Sequence, residues 1–388
     1  MESIMFHDFG WIRIQNRRDL AKRSPVGGRA AEEFGKPMLF SIDEDMGERI
    51  IGWLMPDNPA ATPRIIVHLD PEHHIAIDAF VYRPLLKEQG LHNSGVCGFV
   101  ADESNCPGIG AAAHLEIRDG ENNVLIYRRH TADNRIDSKF LRLETQLFRS
   151  SNLDEMLIGR FQMPYRSLEL LPEETTRSIF AIPFSNSIFA SGRIFWRVWE
   201  PLLRDRGFKV GMLLRDPFEE MSERLLILKW ASLPEAAANA NALMPALQRC
   251  AGHIRHVDLS DSVALEGLLL RATDELRTLL YNPLVYQLAA PNAFDPPPNP
   301  APAAALDSLA ELDAVGLRDD VDSFLGLVGA VLDLPEPLPF VALGPSKTVT
   351  GFADILREMS AARVLIEQDL EVYAEARRVL APAPAASA

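Results

Sequence analysis

Apolar and polar residues alternate in short runs through the first third of the chain. Segments 37–41, 49–55, 63–69, 75–81, 96–100, 114–118 and 124–128 are apolar or alternating runs rich in Ile and Val. A period of two predicts strands with one buried and one wet face. In His114-Leu115-Glu116-Ile117-Arg118 the alternation is complete. Turn signals separate the runs: Pro56-Asp57-Asn58-Pro59, Asp70-Pro71, Asn93-Ser94-Gly95, Pro107-Gly108 and Asp119-Gly120. No helical pattern interrupts them, so the spacing predicts an all-β sandwich over 1–134.

The period changes near residue 135. Phe140, Leu143, Leu147 and Phe148 recur at helical spacing, which predicts a helical linker over 135–172. Beyond it, strands and helices alternate. Segment 178–182 (SIFAI) reads as a strand. Segment 187–206 reads as a helix interrupted at Pro201 and closed by Gly207. Segment 209–214 (KVGMLL) reads as the next strand. Asp216-Pro217-Phe218-Glu219 then reads as a helix start, with Asp216 as cap and Pro217 in the first position. This βαβα order predicts an α/β domain with a helix-covered parallel sheet over 173–380. Segments 262–280 and 361–379 read as helices. The Pro/Ala-rich run 291–305 reads as a loop, and the tail 381–388 as disordered.

Composition narrows the function classes. The chain has 388 residues, is 47% hydrophobic and 24% charged, and carries a net charge of −15. That is globular composition with room for two or three domains. With 39 Lys and Arg against 54 Asp and Glu, a broad nucleic-acid face is excluded, but a local basic pocket is not. Cys97, Cys106 and Cys250 make neither a disulfide framework nor a zinc site. His73-His74 reads as a turn rather than a metal site, because no further ligand lies nearby. The acidic start Met1-Glu2-Ser3 is unlike a signal peptide, and no apolar run suits membrane insertion. The expectation is a cytoplasmic protein without a metal.

Candidate chemistry gathers at two strand-to-helix junctions, where free backbone N–H groups favour anions. The first is Ile182-Pro183-Phe184-Ser185-Asn186-Ser187, and the second is Leu214-Arg215-Asp216-Pro217. An arginine at a strand end can grip a phosphate bidentately. Each junction alone also reads as an ordinary turn and cap.

Taken together, these segments resemble the PAPS-dependent sulfotransferase family, especially its bacterial and carbohydrate-type members. That family has a phosphosulfate loop P-[KR]-[ST]-G-[GT]-[TS] after its first strand and R-D-P-x-E-R-x-x-S after a later one. Pro183, Ser185 and Ser187 fit the first pattern, and Arg215, Asp216, Pro217 and Glu219 fit the second. Asn282-Pro283-Leu284, Leu312-Asp313-Ala314-Val315-Gly316-Leu317 and Asp369-Leu370-Glu371-Val372-Tyr373 follow in the family's order.

The resemblance implies a P-loop-like three-layer domain. It also implies PAPS as donor, held by Ser185, Asn186, Ser187, Arg193, Arg215 and Ser222, and a carbohydrate hydroxyl as acceptor. The departures bear on activity. Phe184 stands where the family has a cation, and Asn186 replaces a Gly. Glu220 replaces the second Arg, and Ser222 falls one residue early. Arg193 or Arg197 is the candidate substitute cation. In 253–259 an alternating pattern suggests a strand with His256 and Asp258 on one face, making His256 a candidate base.

The first third also has a resemblance. Gly52-Trp53, Arg83-Pro84-Leu85 and Gly95-Val96-Cys97-Gly98-Phe99 resemble a β-sandwich module found beside glycosyltransferase and sulfotransferase-like domains of bacterial surface-polysaccharide proteins. Trp53, Tyr82 and Phe99 offer a sugar-stacking face, and the alternative expectation is that at least two of them are core. The competing expectations are a degenerate, non-catalytic binding or scaffold protein and a glycosyltransferase-associated protein of polysaccharide assembly.

Overall fold

The computed structural model describes residues 37–129, 134–147, 151–233, 245–292, 295–339 and 344–380. The start of the chain, which bore on targeting, and the tail 381–388 lie outside the described residues. The strands are β1 Leu39–Asp45, β2 Arg49–Met55, β3 Arg64–His68, β4 His74–Asp78, β5 Val81–Tyr82, β6 Val96–Asp102, β7 Leu115–Asp119, β8 Leu125–Arg129, β9 Lys139–Leu143, β10 Met163–Tyr165, β11 Ile188–Gly192, β12 Phe208–Leu214 and β13 Ala314–Leu317. The α-helices are α1 Pro84–Glu88, α2 Ser151–Ile158, α3 Glu173–Phe180, α4 Trp196–Asp205, α5 Pro217–Ala231, α6 Pro245–Ile254, α7 Ser262–Leu270, α8 Asp274–Leu280, α9 Pro283–Ala289, α10 Ala301–Ala310, α11 Val321–Val331, α12 Lys347–Arg357, α13 Ser360–Leu365 and α14 Glu367–Leu380.

Two compact units share these elements. The larger holds the described residues within 37–215, 282–339 and 368–380. Within it the expected β region forms two four-stranded antiparallel sheets, ordered β1-β2-β6-β5 and β4-β3-β7-β8. Ile50, Leu54 and Phe99 of one sheet and Ile65, Val67 and Ile117 of the other are buried in a common core. Burial of these side chains is what the alternating pattern encodes. Phe99 fits because residue 52 is glycine: a Cβ there would lie 2.7 Å from the ring.

The other part of this unit is a five-stranded sheet, ordered β10-β11-β9-β12-β13, with every neighbouring pair parallel. One face, through Leu141, Leu143 and Met212, packs with Trp196 and Leu203 of α4, Leu288 of α9 and Val372 of α14. The opposite face, through Phe140 and Phe189, packs with Leu157 of α2 and Phe324 and Val328 of α11. Apolar side chains on both faces are what a helix-covered parallel sheet requires.

Several expectations need correction. The linker 135–172 is not all helix, because 139–143 is the central strand β9. Its Arg142 is buried on a polar network, and that breaks the alternation a strand normally shows. Segment 178–182 belongs to α3 and the loop after it, and 188–192 is strand rather than helix. The small residues of Ile188-Phe189-Ala190-Ser191-Gly192 hid that strand, although all five are buried. The last third of the Pro/Ala-rich run is the start of α10. Pro302 sits in its first turn, where a missing N–H costs nothing, and Ala301 and Ala305 are buried.

The smaller unit holds, among the described residues, Asp216–Tyr281 and Gly344–Glu367 and is helical. Helix α5 starts as the sequence predicts. The Asp216 carboxylate accepts from the N–H groups of Phe218 (2.9 Å) and Glu219 (3.2 Å), with Pro217 in the first position. Among the described residues, no helix is long and apolar enough to cross a membrane. The three cysteines are buried.

Candidate functional site

All carboxyl ends of a parallel sheet lie on one edge, and ligands bind there where the strand order reverses. Here β9 comes first and lies in the middle. Strands β10 and β11 follow on one side and β12 and β13 on the other. The reversal therefore falls at the ends of β9 and β12.

The residues that leave this edge share a pattern. Strand β11 is followed at once by Arg193, β12 by Arg215 and β13 by Arg318. Arg215 is buried, and Arg193 and Arg318 are half-buried. A guanidinium side chain thus follows three of the five strands directly.

A buried network stiffens the end of β9. Arg142 donates from Nε to Asp154 (2.8 Å) and from Nη1 to Glu144 (2.8 Å). Ser191 Oγ donates to the second oxygen of Asp154 (2.8 Å). Glu144 also accepts from the N–H groups of Thr145 (2.9 Å) and Gln146 (3.0 Å), so one carboxylate holds the first turn after the strand. Gln287 of α9 donates to the Glu144 carbonyl (2.9 Å). Burial opposes the charge of Arg142. Asp154 and Glu144 outweigh it and raise its pKa above the ordinary arginine value. Arg142 is thus a structural cation, and it fixes Glu144 and Asp154.

On β11 the glycine before Arg193 permits a close approach. A Cβ at Gly192 would meet Leu168 N at 2.6 Å and the Glu169 carboxylate at 2.8 Å. That carboxylate accepts from the Arg193 N–H (3.0 Å).

Of the residues singled out in the sequence, Arg193 and Arg215 share this edge. Ser185, Asn186 and Ser187 do not. They precede β11 and so sit at the amino-terminal edge, which corrects their reading as a loop leaving a strand. Ser185 Oγ donates to Gln162 Oε1 (3.0 Å) and Ser187 Oγ donates to the Ile136 carbonyl (2.5 Å), while Asn186 is exposed. Phe184 is half-buried with its ring 6.1 Å from that of Tyr127. Arg197 pairs with Glu200 (2.9 Å) and Glu311 (3.1 Å).

Ser222 lies in the smaller unit, buried in α5, and donates to the Val349 carbonyl (2.8 Å). His256 is exposed, and the strand expected over 253–259 is not formed. Helix α6 runs to Ile254, and a turn follows in which Lys229 Nζ donates to the carbonyls of Arg255 (2.8 Å) and Val257 (2.7 Å). Asp258 accepts from Ser260 instead (2.7 Å). His73 sits in a turn 2.6 Å from Asp70, and His74 opens β4. Of the three aromatics, Phe99 is core, Trp53 is half-buried and Tyr82 is exposed.

Sequence reasoning missed Arg318 and the Arg142 network. A signal for Arg318 was present, since Gly316-Leu317-Arg318-Asp319 repeats the Leu213-Leu214-Arg215-Asp216 pattern of apolar strand, Arg, Asp. No protein-family model matches the chain, and no curated protein matches it.

Proposed function

We propose that the parallel sheet and its helices form a P-loop-like, three-layer sulfotransferase-type domain. In this reading the carboxyl edge binds PAPS and transfers its sulfuryl group to a carbohydrate hydroxyl. The observation that carries the reading is the series Arg193, Arg215 and Arg318, each immediately after a strand of one sheet. PAPS bears negative charge in two places, the 5′-phosphosulfate and the 3′-phosphate. Cations spread over several strand ends suit it better than a single phosphate clamp.

The strand order supports the same reading. With β9 as first and central strand, the family's phosphosulfate loop belongs after residue 143 rather than after 182. The sequence there reads Phe148-Arg149-Ser150-Ser151, so Arg149-Ser150 supplies the [KR]-[ST] pair that Phe184 lacks. Residues 148–150 lie outside the described residues.

In the reaction the acceptor oxygen attacks sulfur, and the sulfur–oxygen bond to the 5′-phosphate breaks. The bond's electron pair leaves on adenosine 3′,5′-bisphosphate, and the hydroxyl proton passes to a base. Charge grows on the leaving phosphate, where positioned guanidinium groups act most strongly. The buried carboxylates of Glu144 and Asp154 hold the end of β9, so that edge needs little reorganisation. A saccharide acceptor is supported by the likeness of the β-sandwich to a module of polysaccharide proteins.

Calorimetry with adenosine 3′,5′-bisphosphate tests the reading. Saturable binding that is lost in Arg215→Ala and Arg149→Ala is expected. Absence of binding at millimolar ligand overturns it.

A further inference from the structure

The β4-β3-β7-β8 sheet carries a polar row that the donor site does not use. His74 pairs with His68, His68 with Glu116, and Glu116 with Arg128, one residue from each strand. Directly opposed residues share a face. Beside this row opens a pocket of about 450 Å³ whose lining includes His68, His114, Glu116, Arg118 and Arg128. That volume is in the range of small-molecule sites.

Around Glu116 the charges do not cancel. Arg118 donates to Glu116 Oε2 from Nε (2.8 Å) and Nη2 (2.6 Å), and Arg128 Nη1 lies 3.9 Å from Glu116 Oε1. Two guanidinium groups thus share one carboxylate. Arg129 is matched by Asp45 (2.6 Å), and the Asp70 carboxylate, also in the lining, accepts from the N–H groups of Glu72 and His73 (2.8 Å each). The imidazole of His68 lines the same pocket. Burial, then Arg118, push its pKa down, Glu116 opposes them, and His74 adds to the lowering. Its Nε2 is buried with no hydrogen-bond partner among the described residues.

We propose that this pocket binds an acidic sugar unit, with the anionic group of the sugar set against Arg118 and Arg128. The Arg118–Glu116 pair offers donors and acceptors suited to neighbouring hydroxyls, and the surplus positive charge selects a sugar bearing a carboxylate or sulfate. The inference rests on the pocket alone. It stands whether or not the parallel sheet binds PAPS, and its test uses no residue of that edge.

NMR titration of the His68 ring signals in the full chain is the test, with glucuronate, galactose 6-sulfate, glucose and inorganic sulfate as probes. The acidic sugars are expected to shift the signals saturably and raise the His68 pKa, because an added anion favours the imidazolium. Glucose is expected to give no saturable shift. Arg118→Gln is expected to weaken acidic-sugar binding about tenfold or more. If that variant does not fold, calorimetry on His68→Asn replaces it, with loss of binding expected. No saturable shift with either acidic sugar, or undiminished binding in the variants, overturns the proposal. Inorganic sulfate binding as tightly as the acidic sugars overturns the assignment to a sugar.

Discussion

Asn282 and Asp369 cap each other's helices. The Asp369 carboxylate accepts from the N–H groups of Leu284 (3.1 Å) and Val285 (2.9 Å) at the start of α9. Asn282 Oδ1 accepts from those of Gln368 (3.0 Å) and Asp369 (3.3 Å) in the first turn of α14. Both side chains are buried, and Asn282 holds a left-handed backbone, φ 41°. Two segments that the sequence matched only by their order along the chain therefore meet in space. Asn282→Ala and Asp369→Ala are each expected to cost about 1–2 kcal/mol. The double variant should cost clearly less than the sum, because each change disturbs the same pair of helix starts. Urea denaturation of the three variants measures this, and strict additivity would contradict reciprocal capping.

The Arg142 network makes a second prediction. Asp154→Ala leaves a buried guanidinium short of one partner, at an expected cost of about 3–5 kcal/mol. Replacing the set together (Arg142→Met, Glu144→Gln, Asp154→Leu) should restore most of that stability while loosening the turn after β9. Chemical denaturation reads the first effect and, under the proposed function, adenosine 3′,5′-bisphosphate affinity the second. A triple variant as unstable as the single one would show that the network itself holds the fold.

The β-sandwich makes a prediction about pH. Asp45 of β1 accepts from Arg129 of β8 (2.6 and 2.9 Å) and from the Tyr127 hydroxyl (2.6 Å), so it bridges the two sheets. Burial alone would raise its pKa. The bonds from Arg129 and Tyr127 overcome that and hold it below the ordinary value of 3.8. A carboxylate depressed in the folded state contributes stability above its unfolded pKa and loses it as pH falls through the folded one. Asp45→Asn is therefore expected to melt lower than wild type at pH 5 to 8 and to converge with it below about pH 3. Melting curves that stay parallel into acid would contradict the assignment.

Gly192→Ala tests the carboxyl edge without changing a charge. The added methyl has 2.6 Å to Leu168 N and must push residues 168–169 away from β11. A loss of about 1–3 kcal/mol is expected. Under the proposed function nucleotide affinity should weaken as well, because Glu169 would let go of the Arg193 N–H. A stability loss with unchanged affinity would separate this contact from the site.

How much was legible depended on how each element is buried. Sandwich strands such as β3 and β7 were readable because they have one wetter face, so Leu115 and Ile117 alternate with Glu116 and Arg118. The parallel strands have no wet face. In β9 the buried polar residue is Arg142, and in β11 small residues fill the interior, so neither shows a strand period. Helix α3 was mistaken for a strand because its apolar residues Ile179 and Phe180 are adjacent at its end. At the site, Arg215 was readable because a strand, an Arg and a capped helix follow in order. Ser185 and Ser187 misled because small polar residues next to a strand look alike whichever end of it they occupy.

Residue Arg128 lies where the period of the sequence changes, yet its guanidinium donates to the carbonyls of Phe161 and Gln162, beyond the change. The Tyr165 hydroxyl reaches back to the Leu125 carbonyl (3.0 Å), and the Met38 N–H donates to Thr175 (3.1 Å). The first three bonds tie β8 of the sandwich to the segment around β10, and the last ties the residue before β1 to α3. What reads as a detachable module is thus grafted onto its neighbour. A replacement sandwich would have to supply a guanidinium for the carbonyls of Phe161 and Gln162, a carbonyl for Tyr165 and an N–H for Thr175 in the same places.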